Sequence, residues 1–267
     1  MSPKPRPYNK TTLFLCGKIG VGKTTVANKL KQIFSEGEKV PKKDISIYGF
    51  GKAIRDEVAE IYGVPKEHLY NDKVKYDTIP WDDISEEGCR LMTQVFWKEH
   101  PGLYFGAMYS LGLISKEDIP VNFEWMDGPT TRLLLQFHGS EVRRREHPSW
   151  WDHRGRDYVL ANSTESNMVI MDDGRFKTEL STFREIVEND PSHRVIVVRI
   201  MPYPGYEYPT NPHSSELDMD EYDALIDNPE GHFCVGCDTG PYDVVFYPEY
   251  GDESLQEIAD RLSIGLI

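Results

Sequence analysis

Cysteine is in short supply: the 267 residues hold four, Cys16, Cys89, Cys234 and Cys237. Thiols so few and so scattered do not frame a disulfide-stapled fold, and a reducing compartment fits them. Positive charge is short as well. Lys and Arg number 30 against 44 Asp and Glu, a formal net charge of −14, which argues against non-specific binding to nucleic acid or to an anionic membrane surface. An anionic ligand therefore has to be held by a local basic site. No apolar run approaches the roughly 20 residues of a membrane-spanning helix. Met1 to Lys10 is polar and proline-rich, without the apolar centre of a signal peptide. The expectation is a cytoplasmic protein with no membrane partner and no direct nucleic-acid binding. Internal repeats and low-complexity tracts are missing too, and the length suits one large α/β domain with insertions or two small ones.

What is present, near the start, is Gly17-Lys18-Ile19-Gly20-Val21-Gly22-Lys23-Thr24, which fits G-x-x-x-x-G-K-[ST] at every fixed position. In such a loop glycines let backbone N–H groups close around phosphate oxygens, the lysine reaches the β- and γ-phosphates, and the hydroxyl ligates Mg²⁺. The flanks agree with that reading. Thr11 to Cys16 is a short apolar, β-prone run, and Val26, Leu30 and Ile33 then recur at helical spacing. Strand, glycine loop and helix arrive in the required order.

A second strand–helix unit follows, with a strand over Ile45 to Phe50, apolar positions Ile54, Val58 and Ile61 at helical spacing, and Gly63 and Pro65 as the stop. Lys52 and Arg55 fall in the first turn of that helix, next to the carboxyl end of its strand, where open α/β sheets bind ligands. Arg55 reads equally as a phosphate contact or as solvated charge. Ser85 is a candidate cap for a helix carrying Leu91, Met92, Val95 and Phe96, closed by His100-Pro101-Gly102. The aromatic stretch Tyr104 to Tyr109 shows no period and reads as the core of an inserted helical subdomain rather than as a base-stacking site.

Between Thr130 and Trp151 come Arg132, Gln136, Gly139-Ser140 and the run Arg143-Arg144-Arg145. Three adjacent arginines cannot share one helix face. Either one or two point into a site, where guanidinium groups make bidentate bonds to phosphate, or the run is a solvated face offsetting nearby acids. Trp150 or Trp151 could cover a base or hold its helix in the core. Asn167 to Gly174 is a continuous apolar run ending in Asp172 and Asp173, as expected of a strand buried on both faces. An acid at such a strand tip helps hold Mg²⁺ in P-loop enzymes; a pair of turn acids is the alternative. The two alternate sides, so one of them faces the phosphates, with Arg175 next in line. Leu180, Phe183 and Val187 mark another helix, Val195 to Ile200 another buried strand, and Asp243 to Tyr247 the last strand. Leu255, Ile258, Ala259 and Leu262 mark the last helix. The Pro- and Tyr-rich stretch from Met201 to Pro212 suits an extended loop. Cys234-Val-Gly-Cys237, with His232 near, is a single pair, and structural zinc takes four ligands, so a plain loop is expected there.

The pieces Arg132-x-x-x-Gln136-x-x-Gly139-Ser140, Arg144, His147-Pro148 with Trp151, Asp173-Gly174-Arg175-Phe176-Lys177-Thr178-Glu179, and His213-Ser214-Ser215-Glu216, in this order after the glycine loop, resemble the deoxynucleoside monophosphate kinases of large tailed bacteriophages. The resemblance covers roughly residues 11–63 and 130–262. Ser140 stands where the family more usually has Thr, Gly174 where it has a larger residue, and Asp152 where it has an apolar one. The resemblance implies an α/β, three-layer P-loop kinase fold with a mostly parallel sheet, helices on both faces and an inserted helical acceptor-binding region over about 64–160. The whole chain, 1–267, would form one kinase domain, with a lid-like loop over about 201–216. It implies transfer of the γ-phosphoryl group of ATP to a deoxynucleoside monophosphate in the cytoplasm of an infected host, and it leaves room for a homodimer. The expected ATP contacts are Gly17, Lys18, Gly20, Val21, Gly22, Lys23, Thr24 and Thr25. Thr24 and Asp173 (or Asp172) are the expected Mg²⁺ ligands. Arg55, Arg132, Gln136, Arg144, Trp151 and Arg175 are the expected acceptor contacts, and Lys23, Arg144, Arg175 and Asp173 the catalytic groups.

Other acceptors fit the same loop, of the dephospho-coenzyme A or phosphomevalonate kind. A nucleotide switch is disfavoured because no N-K-x-D guanine motif is present. A DNA-processing ATPase is disfavoured by the short chain and the net acidity.

Overall fold

The computed structural model describes residues 8–37, 42–94, 100–121, 123, 125–207, 217–223, 233–235, 242–247 and 251–265. It divides into two compact units, residues 51–150 and the remainder. The inserted region thus starts earlier and ends sooner than the expected 64–160, because Val58 and Tyr62 already belong to the core of the insert.

The larger unit is built on a six-stranded sheet in the order β2-β3-β1-β4-β6-β5. The strands are β1 (Lys10–Cys16), β2 (Asp44–Tyr48), β3 (Asn167–Gly174), β4 (His193–Ile200), β5 (Phe233–Val235) and β6 (Val244–Phe246). Every pairing is parallel except β5 with β6. Side chains alternate across β1 as a pleated strand requires. Leu13 and Leu15 join one core with Val26 and Leu30 of α1 (Lys23–Glu36) and Ile258 and Leu262 of α10 (Asp252–Gly265). Phe14 points to the other side, where its ring lies 5.0 Å from Phe183 of α8 (Lys177–Asn189). On the same side α7 (Trp150–Asn162) approaches β3 through Gly155, where a Cβ would lie 3.3 Å from Met171 Cε. The fold is therefore three-layered α/β, with a mostly parallel sheet and helices on both faces. No helix among the described residues is long and apolar enough to cross a membrane.

Two boundaries differ from the sequence reading in this unit. Phe50 does not end β2 but opens α2 (Phe50–Tyr62). Cys234, expected in a plain loop, lies in β5, while His232 and Cys237 are outside the described residues.

The smaller unit is helical. It contains α3 (Lys66–Leu69), α4 (Glu86–Gln94), α5 (Pro101–Ser110), α6 (Thr131–Gln136) and a wider π-helical stretch, Phe137–Arg144, running on from α6. Its core gathers Val58, Tyr62, Leu69, Trp81, Met92, Leu103, Leu134, Phe137 and Val142. Ser85 Oγ accepts from the Gly88 N–H at 3.0 Å, as an N-cap does. Val95 and Phe96, expected in α4, lie outside the described residues. Pro101 is the first residue of α5, where its missing N–H and fixed φ suit a helix start. The aromatic run has no visible period because the buried face of α5 is Leu103, Gly106 and Ala107, with aromatics on the flanks. A Cβ on Gly106 would lie 2.0 Å from Trp81 Cζ2. Gly106→Val should therefore cost at least about 1–3 kcal/mol, the usual scale of overpacking. It should be read as a lower urea midpoint; an unchanged midpoint would place Trp81 elsewhere.

Candidate phosphate-binding site

β1 runs straight into the glycine loop, and packing dictates two of its glycines. At Gly17 a Cβ would stand 2.6 Å from the Ile200 carbonyl oxygen of β4, and at Gly22 it would stand 2.7 Å from Leu255 Cδ1 of α10. Gly20 and Gly22 also hold φ of 78° and 93°, the left-handed region that favours glycine. Val21 is buried in the core beneath the loop, while Thr24 and Thr25 are exposed at the start of α1. The first turn of α1 carries no acidic side chain, so the positive end of its dipole, about half a charge, is available to an external anion. Lys23 lies folded across the loop, with Nζ donating to the carbonyl oxygens of Gly17 at 2.7 Å and Lys18 at 2.8 Å.

Of the paired strand-tip acids, Asp172 is the one that meets the loop. The Thr24 hydroxyl hydrogen-bonds its carboxylate, and Lys23 acts on it electrostatically. Asp173 turns to α2 instead, where Oδ1 accepts from the Phe50 N–H at 2.8 Å. Of the two, Asp172 is thus the acid at the loop and Asp173 the one that serves the start of α2. Burial, and then the charge of Asp173, push the Asp172 carboxyl above its ordinary range, with Thr24 and Lys23 pulling the other way. A carboxyl and a hydroxyl placed together are hard oxygen donors, of the kind a small divalent cation takes.

Arg175 follows β3 in a turn pinned by a residue that sequence reading gave no role. Glu179, almost fully buried, accepts from the backbone N–H groups of Arg175 at 2.7 Å and Phe176 at 3.0 Å. Its signal was available, since an acid at the third position of a helix commonly reaches back to its start. At Gly174 the Phe14 ring fills the space a side chain would need, 2.5 Å from where a Cβ would sit. Trp151 and Asp152 are both fully buried, so of the two readings of Trp151 its geometry matches the one that holds a helix in the core.

In the helical unit, Arg55 Nε donates to the Leu69 carbonyl at 3.0 Å and its guanidinium lies over Tyr70, 5.5 Å from the ring centre. Arg132 lies over Tyr76 at 6.0 Å, placed there by its own N–H to the Lys75 carbonyl at 2.9 Å. Two of the four expected acceptor arginines therefore rest on tyrosines of one segment. Gln136 ends α6, half-buried. The three adjacent arginines part company in the π-helical stretch, a geometry often found at functional sites. Arg143 turns inward to Glu57 and over Trp150, Arg144 donates to the Pro148 carbonyl at 3.2 Å, and Arg145 is exposed. Burial works against the Glu57 carboxylate, but the His138 ring, 3.7 Å away, and the bonded Arg143 guanidinium outweigh it and hold its carboxyl below the ordinary range. His213 to Glu216 lie outside the described residues, as does the expected lid beyond residue 207.

The shift of Asp172 fixes a pH signature. A carboxyl raised on folding leaves stability untouched below its unfolded pKa, 3.8, and lowers it as pH rises through the folded value. Asp172→Asn should therefore raise the melting temperature at pH 7, and the gain should shrink as pH falls toward 3.8. A loss of stability at pH 7 would mean that the carboxylate is satisfied.

No family model matches the chain, and no curated protein matches its sequence. Among solved structures, a plasmid partition protein from Borrelia burgdorferi aligns with 97% of this chain and 100% of that one, at 8% identity and a TM-score of 0.26. A likeness that slight carries no argument about function.

Proposed function

We propose that the protein is an ATP-dependent kinase acting on a deoxynucleoside 5′-monophosphate in the cytoplasm of an infected host. The observation that carries the donor half is the meeting of Thr24 and the strained Asp172 beside Lys23, at the uncapped start of a helix. The acceptor half rests on the motif resemblance and on the arginines it singles out.

Transfer of a γ-phosphoryl group asks little covalent chemistry of a protein, so positioning and charge stabilisation dominate. The phosphorus–oxygen bond to the β-phosphate breaks, and a bond forms to an oxygen of the acceptor's 5′-phosphate. ADP leaves with the electron pair. In this reading the loop N–H groups hold the β- and γ-phosphates. Lys23 gives up its two loop carbonyls for the transferring group. Thr24 and Asp172 would hold Mg²⁺, which would supply positive charge to offset that of the phosphates. Arg175 and Arg144 balance the developing charge, Arg55 and Arg132 bind the acceptor phosphate, and Gln136 orients the acceptor.

Lys23→Ala should remain folded and lose at least ~100-fold in turnover, the usual scale for removing one preorganised charge-stabilising group. Near-normal turnover in that variant would overturn the assignment. A panel of acceptors assayed for ADP release should respond to a deoxynucleoside monophosphate. A response confined to dephospho-coenzyme A or phosphomevalonate would keep the kinase and change its substrate.

A further inference from the structure

The direction in which the loop's peptide groups point is not fixed by the loop alone. Gly20 adopts φ 78° without steric constraint, its nearest neighbour beyond the loop being Tyr206 Cε2, 4.0 Å from where a Cβ would sit. A glycine of this kind tolerates either orientation of the peptide before it. What holds that peptide is Tyr206, whose hydroxyl donates to the Ile19 carbonyl oxygen at 2.6 Å. In a planar trans peptide the carbonyl of one residue and the N–H of the next point in opposite directions. Fixing the Ile19 oxygen on Tyr206 therefore aims the Gly20 N–H the other way.

A second grip lies one residue earlier. Lys18, whose side chain is only 7% exposed, is paired with Asp220, on the short helix α9 (Asp220–Asp223). The seven residues 217–223 are anchored independently of the loop. Asp223 accepts from Arg199 Nε at 2.8 Å and from the Tyr242 hydroxyl at 3.0 Å, Asp218 accepts from the Lys177 N–H at 2.6 Å, and Met219 is buried. Arg199 is itself 1% exposed, so the anchor is a desolvated ion pair rather than a surface contact, and removing either partner would strand a buried charge.

We propose that Tyr206 and Asp220, carried by the chain that leaves β4, are positioning residues of the nucleotide site. Tyr206 sets the Ile19–Gly20 peptide so that its N–H meets phosphate, and Asp220 fixes the loop at Lys18. Neither touches the reacting atoms. The proposal rests on the reading of the loop as an ATP site and adds two residues that no part of the G-x-x-x-x-G-K-[ST] pattern contains.

The test is nucleotide binding to the full chain, measured by calorimetry with ATP and with adenosine, alongside melting temperatures. Tyr206→Phe should weaken ATP about tenfold, the equivalent of one lost hydrogen bond of roughly 1.4 kcal/mol. Adenosine affinity and melting temperature should be unchanged. Asp220→Asn should move ATP affinity in the same direction, and Asp220→Glu should restore it, which keeps the question open to decision if one variant is unstable. Equal losses for ATP and adenosine, or unaltered ATP affinity in both Tyr206→Phe and Asp220→Asn, would overturn the proposal while leaving the ATP site intact. Wild-type protein that bound no ATP would overturn the kinase reading, and this proposal with it.

Discussion

The glycine loop is clamped from two sides, by the Ile200 carbonyl of β4 against Gly17 and by Leu255 of α10 against Gly22, and the site depends on that clamp. It leaves the loop little room for any path but the one that wraps the start of α1. Because β4 and α10 belong to the same core as β1 and α1, the shape of the loop follows from core packing. Lys23 is held across the loop by two of its carbonyl oxygens, those of Gly17 and Lys18. An anion could replace those contacts without rearranging the sheet.

Charge is arranged with comparable economy. In a chain of net charge −14, cations near the carboxyl edge of the sheet are matched to acids: Lys18 to Asp220, Lys177 to Glu221 and Arg199 to Asp223. Burial dominates at the base of the loop, pushing the Cys16 thiol up to about 11 despite Arg199 beside it, so that thiol stays protonated and unreactive. Asp172 is the exception. It is buried next to a second carboxylate, and its ionised form is disfavoured there. That imbalance is the feature a cation would correct.

Much of the larger unit was legible in the sequence, since the apolar runs at β1, β3 and β4 and the helical spacing of Val26 and Leu30 are local signals of burial. The start of α2 at Phe50 was not, because the cap comes from Asp173, more than a hundred residues away in the chain. Tyr104 to Tyr109 hid its helix for another reason: within that run the packing face is Gly106 and Ala107, so hydrophobic periodicity vanished. Loop, lysine and hydroxyl were visible as a motif, but the choice between Asp172 and Asp173 needed the strand's register. Arg199 within the apolar run Val195 to Ile200 was a signal left unread; a charge there announces a buried partner, and that partner sits in the segment that grips the loop.

The central claim is that γ-phosphate moves to a second substrate rather than to water. The most direct measurement supplies ATP labelled in the γ-position together with Mg²⁺ and each deoxynucleoside monophosphate, and follows the label. The account predicts label in a deoxynucleoside diphosphate, with little free phosphate. Label recovered only as inorganic phosphate, whatever acceptor is present, would contradict it.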